Sequence, residues 1–319
     1  MNLAIIGCGE IGQRHLESVL NLDYKMKIFL IDKSTICLEK CKQISLKKKL
    51  HFFYFAKSFV EIEEDFDFVI VATNSDHRFS VLKDLCRYKT PKFIILEKFL
   101  FNKLSHFKEA KKLFQLNGTK VWVNQWMSTD FPNLSDIFGE TDGINISVKG
   151  KNWNFCSNSV HWLEWFHHIN NRKKIVLFDS SLEDVIIENK RKGFFETFGS
   201  FEFHGINNNK LFLQCKYEKN SERETLISIS NKSSRAEFQL TVDSLKGFIF
   251  RSNQKKSISF KLRYLSERTS IYIKSILEKN ECTLPTYDQS VLHHKLVFQT
   301  FKNHFDKSNL KTSNLLPIT

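Results

Sequence analysis

Gly7, Gly9 and Gly12 stand in the run Gly7-Cys8-Gly9-Glu10-Ile11-Gly12, and Asp32 follows Gly12 by 20 residues. Each glycine suits a separate task. The first permits a tight turn, the second lets a pyrophosphate approach the backbone, and the third lets a helix pack closely. A helix starting here turns the unpaired N–H groups of Glu10 and Ile11, and the positive end of its dipole, toward phosphate. A carboxylate at Asp32 accepts hydrogen bonds from both ribose hydroxyls and repels a 2′-phosphate. The expected ligand is therefore a dinucleotide cofactor, NAD in preference to NADP. NADP remains possible because Lys33 and Ser34 come next.

Such a run is informative only in the right setting, which these flanks provide. Leu3-Ala4-Ile5-Ile6 reads as a buried strand, Leu16, Val19 and Leu20 as a helix face, and Lys27–Ile31 as a second strand. The βα alternation continues. Helices are expected over 34–44, 58–64, 76–88 and 105–116, and strands over 51–55, 68–72, 92–96 and 120–124. Phe68-Val69-Ile70-Val71-Ala72 is apolar throughout, as in a parallel strand covered on both faces. Open sheets of this kind bind ligands at the carboxyl ends of their strands. That places Thr73, Asn74, Ser75, Glu97, Lys98 and Asn124 among the cofactor-lining candidates. Lys98 suits stabilising a developing alkoxide, and Glu97 suits holding Lys98 or a ribose.

From about residue 125 the pattern changes to a helix over 158–169 followed by closely spaced strand-like runs. These are expected at 174–179, 184–189, 198–204, 210–217, 224–230, 235–242, 247–251 and 257–261. Two helices follow, near 267–278 and 287–305. The fold class is thus α/β: a doubly wound Rossmann domain (residues 1–124), then an α+β domain with a mostly antiparallel open sheet (residues 125–319).

Composition narrows the function. The chain has 319 residues, 41% hydrophobic, enough for two cores, and only 4 Pro. Its formal net charge is +13. The basic runs Lys47–Lys49, Arg172–Lys174 and Lys190–Lys192 are short and lack a nucleic-acid motif, so an anionic small molecule is the expected partner. Arg172 and Lys173 read as a solvated turn. No segment has the apolar length of a membrane span. The seven cysteines are scattered, the first strand begins too early for a leader, and a cytoplasmic location is expected. His167-His168 lacks a matching ligand set, so no metal is expected.

Four segments together resemble the Gfo/Idh/MocA oxidoreductases, the glucose–fructose oxidoreductase and inositol dehydrogenase family. They are Gly7–Gly12 with Gln13-Arg14-His15, Val71–Asp76, Leu96-Glu97-Lys98, and Asn158-Ser159-Val160-His161. Leu284-Pro285-Thr286-Tyr287 adds to the likeness. The resemblance implies hydride transfer between nicotinamide and a hydroxyl or ketone of a sugar or nucleotide sugar, within surface-polysaccharide or amino-sugar metabolism. It implies His161 as acid/base with Lys98 beside the reacting oxygen, and a polar role for Asn158. It also implies His77 or Arg78 near the cofactor, and a homo-oligomer, dimer or tetramer, formed through the open sheet. Two positions depart from the pattern: Ser157 replaces an aspartate and Phe99 replaces a proline. Two alternatives stay open: an enzyme of the same fold that retains NAD while cleaving glycosides or running an internal redox cycle, and, on the strength of Ser157 and Phe99, a non-catalytic NAD(H)-binding protein.

Overall fold

The computed structural model describes residues 1–251, 254–308 and 315–319. The chain forms two compact units. The first comprises Met1–Asn124, Arg263–Val291 and Thr319; the second comprises Gln125–Leu262 and Leu292–Ile318.

The first unit opens with β1 (Asn2–Ile6), α1 (Glu10–Val19), β2 (Lys27–Ile31), α2 (Thr35–Ser45) and β3 (Phe52–Ala56). A 3₁₀ turn at Phe59–Glu61 leads to β4 (Phe68–Val71), α3 (Ser75–Tyr88), β5 (Phe93–Leu96), α4 (Leu104–Leu116) and β6 (Lys120–Val123). All six strands are parallel in the order β3-β2-β1-β4-β5-β6. The order reverses between β1 and β4, and chain crossovers that diverge there leave a crevice at the strand ends. The strands pack by their apolar runs: Leu3, Ala4, Ile5, Phe68, Val69, Ile70, Val71, Ile94, Ile95 and Leu96 are fully buried. Ser34 starts α2 by accepting the Cys37 N–H.

The second unit contains α5 (Met127–Asp130), α6 (Leu134–Phe138), β7 (Asn145–Lys151) and α7 (Phe155–Ile169). The strands β8 (Val176–Glu188), β9 (Phe195–His204), β10 (Lys210–Lys216), β11 (Glu224–Ser230), β12 (Ser234–Leu240), β13 (Ser244–Arg251) and β14 (Gln254–Lys261) follow. They form an eight-stranded sheet in the order β14-β13-β12-β11-β7-β10-β9-β8. Only the β7–β10 pairing is parallel. α7 packs on β9 and β10, and Phe155 stacks on Phe201. Leu211, Leu213 and Ile227 are buried, whereas Leu226 and Phe248 are exposed. The sheet is therefore covered on one face, as alternation requires.

The helix expected over 58–64 is only the 3₁₀ turn at Phe59–Glu61, and three larger features also differ from expectation. β7, the strand between β10 and β11, interrupts its apolar alternation with Gly150. A Cβ there would lie 2.1 Å from the Glu224 carbonyl oxygen, so close strand approach demands glycine and weakens the strand signal. β8 is one strand where two were expected, because register shifts at Leu177/Asp179 and Leu182/Ile186 break its period of two. Finally, α8 (Leu265–Lys279) belongs with the first unit, not with a contiguous second domain. Its Tyr272, Ile273 and Ile276 join Leu16, Val19 and Leu20 of α1 in one core. The Ser270 N–H donates to Ser18 Oγ at 2.9 Å. The division between units falls inside α9 (Tyr287–Lys307).

Candidate functional site

In the first unit the glycine loop joins β1 to α1, and each glycine meets different surroundings. Gly7 has φ +96°, and a Cβ on it would lie 2.8 Å from the Ala72 carbonyl carbon at the end of β4. A Cβ on Gly12 would lie 1.9 Å from the Gly7 carbonyl oxygen. These two glycines are required by the fold. Gly9 is different, since a Cβ there would meet nothing within 4 Å. The fold leaves Gly9 bare beside open space, as a ligand approaching the backbone needs. Gly9 also starts α1 without a side-chain cap, so the N–H groups of the first turn, at Glu10 and Ile11, face outward. The Gln13 side chain braces the loop by donating to the Cys8 carbonyl at 2.9 Å.

Asp32 lies just past β2. Its Oδ2 accepts the Cys8 N–H at 2.7 Å and its Oδ1 accepts the Ser34 N–H at 2.8 Å. Both bonds fix the carboxylate against the glycine loop. Each oxygen keeps a second lone pair, and the residue is only half-buried, which suits a ribose diol. Lys33 beside it is exposed.

Thr73 and Asn124 follow β4 and β6. Thr73 Oγ1 and Asn124 Oδ1 are buried oxygens with no hydrogen-bond partner among the described residues. Buried polar atoms ordinarily find partners, so both are vacant acceptors at strand ends. With Gly9 and Asp32 they make a donor and acceptor set that fits a nicotinamide dinucleotide.

Glu97 is the hub beneath these groups. Its Oε1 accepts from His15 Nε2 at 2.9 Å and from Asn124 Nδ2 at 2.5 Å. His15 Nδ1 lies 2.8 Å from Thr269 Oγ1 on α8. Burial alone raises the Glu97 carboxyl pKa. The His15 and Asn124 hydrogen bonds and the Arg78 charge outweigh burial and hold it below its ordinary value. Glu97 therefore orients Asn124. Lys98 is half-buried, and the Lys98–Phe99 peptide bond is cis.

Asn74 precedes α3, and Ser75 N–H donates to Thr319 Oγ1 at 3.0 Å. Of the two residues matched to one family position, His77 is 75% exposed and pairs with Asp76. Arg78 is buried and donates to the carbonyls of Thr73, Phe99 and Leu100. Arg78 thus ties the β4 and β5 ends together.

In the second unit α7 carries the other candidates. His161 is buried, its ring 5.9 Å from that of Trp126. Asn158 Nδ2 donates to the Trp153 carbonyl at 2.8 Å and fixes the start of the helix. Ser157 is buried, and Trp162 and Trp165 are core residues.

Arg172 is not part of a solvated turn. It reaches Glu164 Oε1 at 2.8 Å, and Glu164, fully buried, also accepts from the Ser128 N–H and hydroxyl. A buried carboxylate recruits whatever cation the fold can bring. Burial still leaves the Glu164 pKa above its ordinary value, against the pull of Arg172 and Ser128.

A second buried chain supports the same helix. Gln125 Nε2 donates to the Val160 carbonyl at 2.7 Å, and His293 Nδ1 lies 3.2 Å from Gln125 Oε1. His167 Nδ1 lies 2.9 Å from His293 Nε2. Because the Gln125 oxygen can only accept, His293 carries its proton on Nδ1 and takes the His167 Nδ1–H on Nε2. His15, Gln125, Glu164 and His293 were not singled out as site residues. His15 alone left a local trace: it sits with Gly12, Leu16 and Val19 on the buried face of α1. Among the described residues no group of three or more His, Cys, Asp or Glu is placed to hold a metal, and no helix is long and apolar enough to cross a membrane.

Residues 1–125 match the family model described as "Oxidoreductase family, NAD-binding Rossmann fold". No curated protein matches the chain. Solved structures are similar across both units at low identity. An oxidoreductase from Agrobacterium radiobacter, solved with NAD+, L-tartaric acid and magnesium, is 15% identical with a TM-score of 0.72, over 93% of this chain and 94% of its own. A UDP-N-acetylglucosamine 3-dehydrogenase from Acidithiobacillus ferrooxidans is 10% identical with a TM-score of 0.69, over 94% and 96%. A transcriptional regulator from Kluyveromyces lactis is 13% identical with a TM-score of 0.66, over 99% and 95%. At these identities the likeness establishes the fold alone. The glycine loop, Asp32 and the parallel sheet that carries them are the parts of residues 1–125 that an NAD-binding Rossmann fold of the matched model calls for.

Proposed function

We propose that this chain is an NAD(P)-dependent oxidoreductase acting on a hydroxyl or ketone of a sugar, most simply a nucleotide sugar. The observation that carries the reading is the dinucleotide cradle: bare Gly9, the anchored Asp32 carboxylate, and the Thr73 and Asn124 oxygens without a hydrogen-bond partner among the described residues. The α1 N-terminus receives the pyrophosphate, Asp32 the adenosine ribose, and Thr73, Asn74, Ser75 and Asn124 line the rest of the site. His77 flanks this segment from the solvent side.

A bound nicotinamide ring supplies the hydride acceptor or donor. Alcohol oxidation must also release the hydroxyl proton as the hydride leaves, and an imidazole serves for that. We assign the proton to a ring nitrogen of His161. The Lys98 ammonium donates to the substrate oxygen and stabilises its developing charge. Asn158 fixes the start of the helix that presents His161. The +13 net charge draws an anionic sugar derivative.

The test is turnover of NAD+ with a panel of sugars and nucleotide sugars, followed by absorbance of the reduced cofactor. Lys98→Ala and His161→Ala should each lower kcat by about a hundredfold or more. Unchanged kcat in both single variants contradicts the residue assignment. Tight NADH binding without turnover favours a non-catalytic role, and turnover without net cofactor reduction favours the internal redox cycle.

A further inference from the structure

A buried asparagine in the first unit is aimed by its neighbours. Asn124 follows β6, and its Nδ2 donates to Glu97 Oε1 at 2.5 Å. Its Oδ1 is buried without a hydrogen-bond partner among the described residues. An asparagine amide can be turned over, so its partners must decide which end faces where. Burial opposes ionisation of Glu97, but the His15 and Asn124 hydrogen bonds and the Arg78 charge hold its carboxyl below the ordinary pKa. An ionised carboxylate only accepts. The NH2 end of Asn124 must therefore face Glu97, and Oδ1 must face away.

Glu97 is itself fixed from behind. His15, buried on α1, carries a proton on Nε2, because it donates to the same Oε1 at 2.9 Å. Its Nδ1 lies 2.8 Å from the hydroxyl of Thr269, which is buried on α8. That hydroxyl lies farther, at 3.5 Å, from the Leu265 carbonyl. All four residues belong to the first unit. Buried polar chains of this kind hold one geometry rigidly.

The sheet order limits what Oδ1 can meet. Asp32 follows β2 and Asn124 follows β6, four strands away. A dinucleotide with its adenosine ribose at Asp32 lays its nicotinamide half toward β4, β5 and β6. The donors on that half are ribose hydroxyls and the carboxamide NH2. A hydroxyl donates or accepts as its surroundings ask, whereas an NH2 only donates and calls for a fixed acceptor.

We propose that Asn124 Oδ1 accepts an N–H of the nicotinamide carboxamide, and that His15 and Thr269 are positioning residues that aim it through Glu97. The inference rests on the proposed dinucleotide site. The contact sets the rotation of the nicotinamide ring about its bond to ribose, and with it the face that receives or gives the hydride.

Calorimetric titration of the purified full chain with NADH and two reduced analogues tests this. The acetylpyridine analogue has a methyl group in place of the carboxamide NH2, and the thionicotinamide analogue keeps the NH2. Wild type should bind NADH and the thionicotinamide analogue alike. It should bind the acetylpyridine analogue about tenfold more weakly, because a buried acceptor then lacks its donor. Asn124→Ala should abolish that preference. Thr269→Val and His15→Leu should shrink it to about threefold or less, and His15→Gln, whose amide can replace the Nε2–H, should restore it. Circular dichroism confirms folding, and Thr269→Val, equal in shape, decides the matter if His15 variants do not fold. Wild-type binding of NADH with no preference over the acetylpyridine analogue overturns the proposal and leaves the dinucleotide site standing. A preference that Thr269→Val leaves at the wild-type value overturns the positioning roles. Binding of none of the three overturns the dinucleotide site and the proposal with it.

Discussion

Two glycines three residues apart separate folding from binding. Gly12 has its missing Cβ position occupied by the Gly7 carbonyl oxygen, whereas Gly9 faces open space. Gly12→Ala should cost about 3 kcal/mol of stability, visible as a lower denaturation midpoint. Gly9→Ala should leave that midpoint within about 0.5 kcal/mol of wild type while weakening NADH binding by about tenfold or more. Equal affinity in Gly9→Ala and wild type would remove Gly9 from the site. The glycine loop and Asp32 were legible in the sequence because their spacing is local. The Thr269–His15–Glu97–Asn124 network was not, since its successive members lie 254, 82 and 27 residues apart. Lys98 stood out by its place at the end of a buried strand, whereas His161 stood out only by resemblance, because no local pattern marks a histidine as reactive.

The helix α7 shows how an element can be held in place by buried polar groups. Glu164 is fully buried, with Arg172 supplying the counter-charge. Arg172→Gln should therefore destabilise the fold by about 3 kcal/mol in urea denaturation, and an unchanged midpoint would mean that the pair is idle. The second support titrates. Burial, followed by the charges of His167, His294 and Arg172, puts the His293 pKa well below its ordinary 6.5. His167 is lowered by burial and Arg172 as well. Both fold neutral, so their contribution to stability is present above the ordinary value and is lost as pH falls below it. The slope is at most about 1.4 kcal/mol per pH unit for each histidine, and His293→Gln should flatten it. Glu97, held low, adds its own loss at pH below about 4.5. Among the elements, β1, β2 and β4–β6 were legible as apolar runs between turn signals. β7 and the continuity of β8 were hidden because Gly150 and two register shifts break the alternation that marks a strand.

At the scale of the whole molecule, the division into a Rossmann part and an α+β part was legible from the change of pattern near residue 125. The membership of α8 was not: its apolar face reads the same whichever core receives it, and only the match to Leu16, Val19 and Leu20 decides. Net charge bears on partners and not on fold, and +13 on a Rossmann protein is consistent with anionic ligands. The central claim is that the first unit holds a nicotinamide dinucleotide at Gly9 and Asp32. Calorimetric titration of the purified wild type with NADH and NADPH tests it most directly. Saturable binding of NADH, about tenfold tighter than NADPH because Asp32 meets the ribose, is the predicted result. Absence of binding by either dinucleotide would contradict the account.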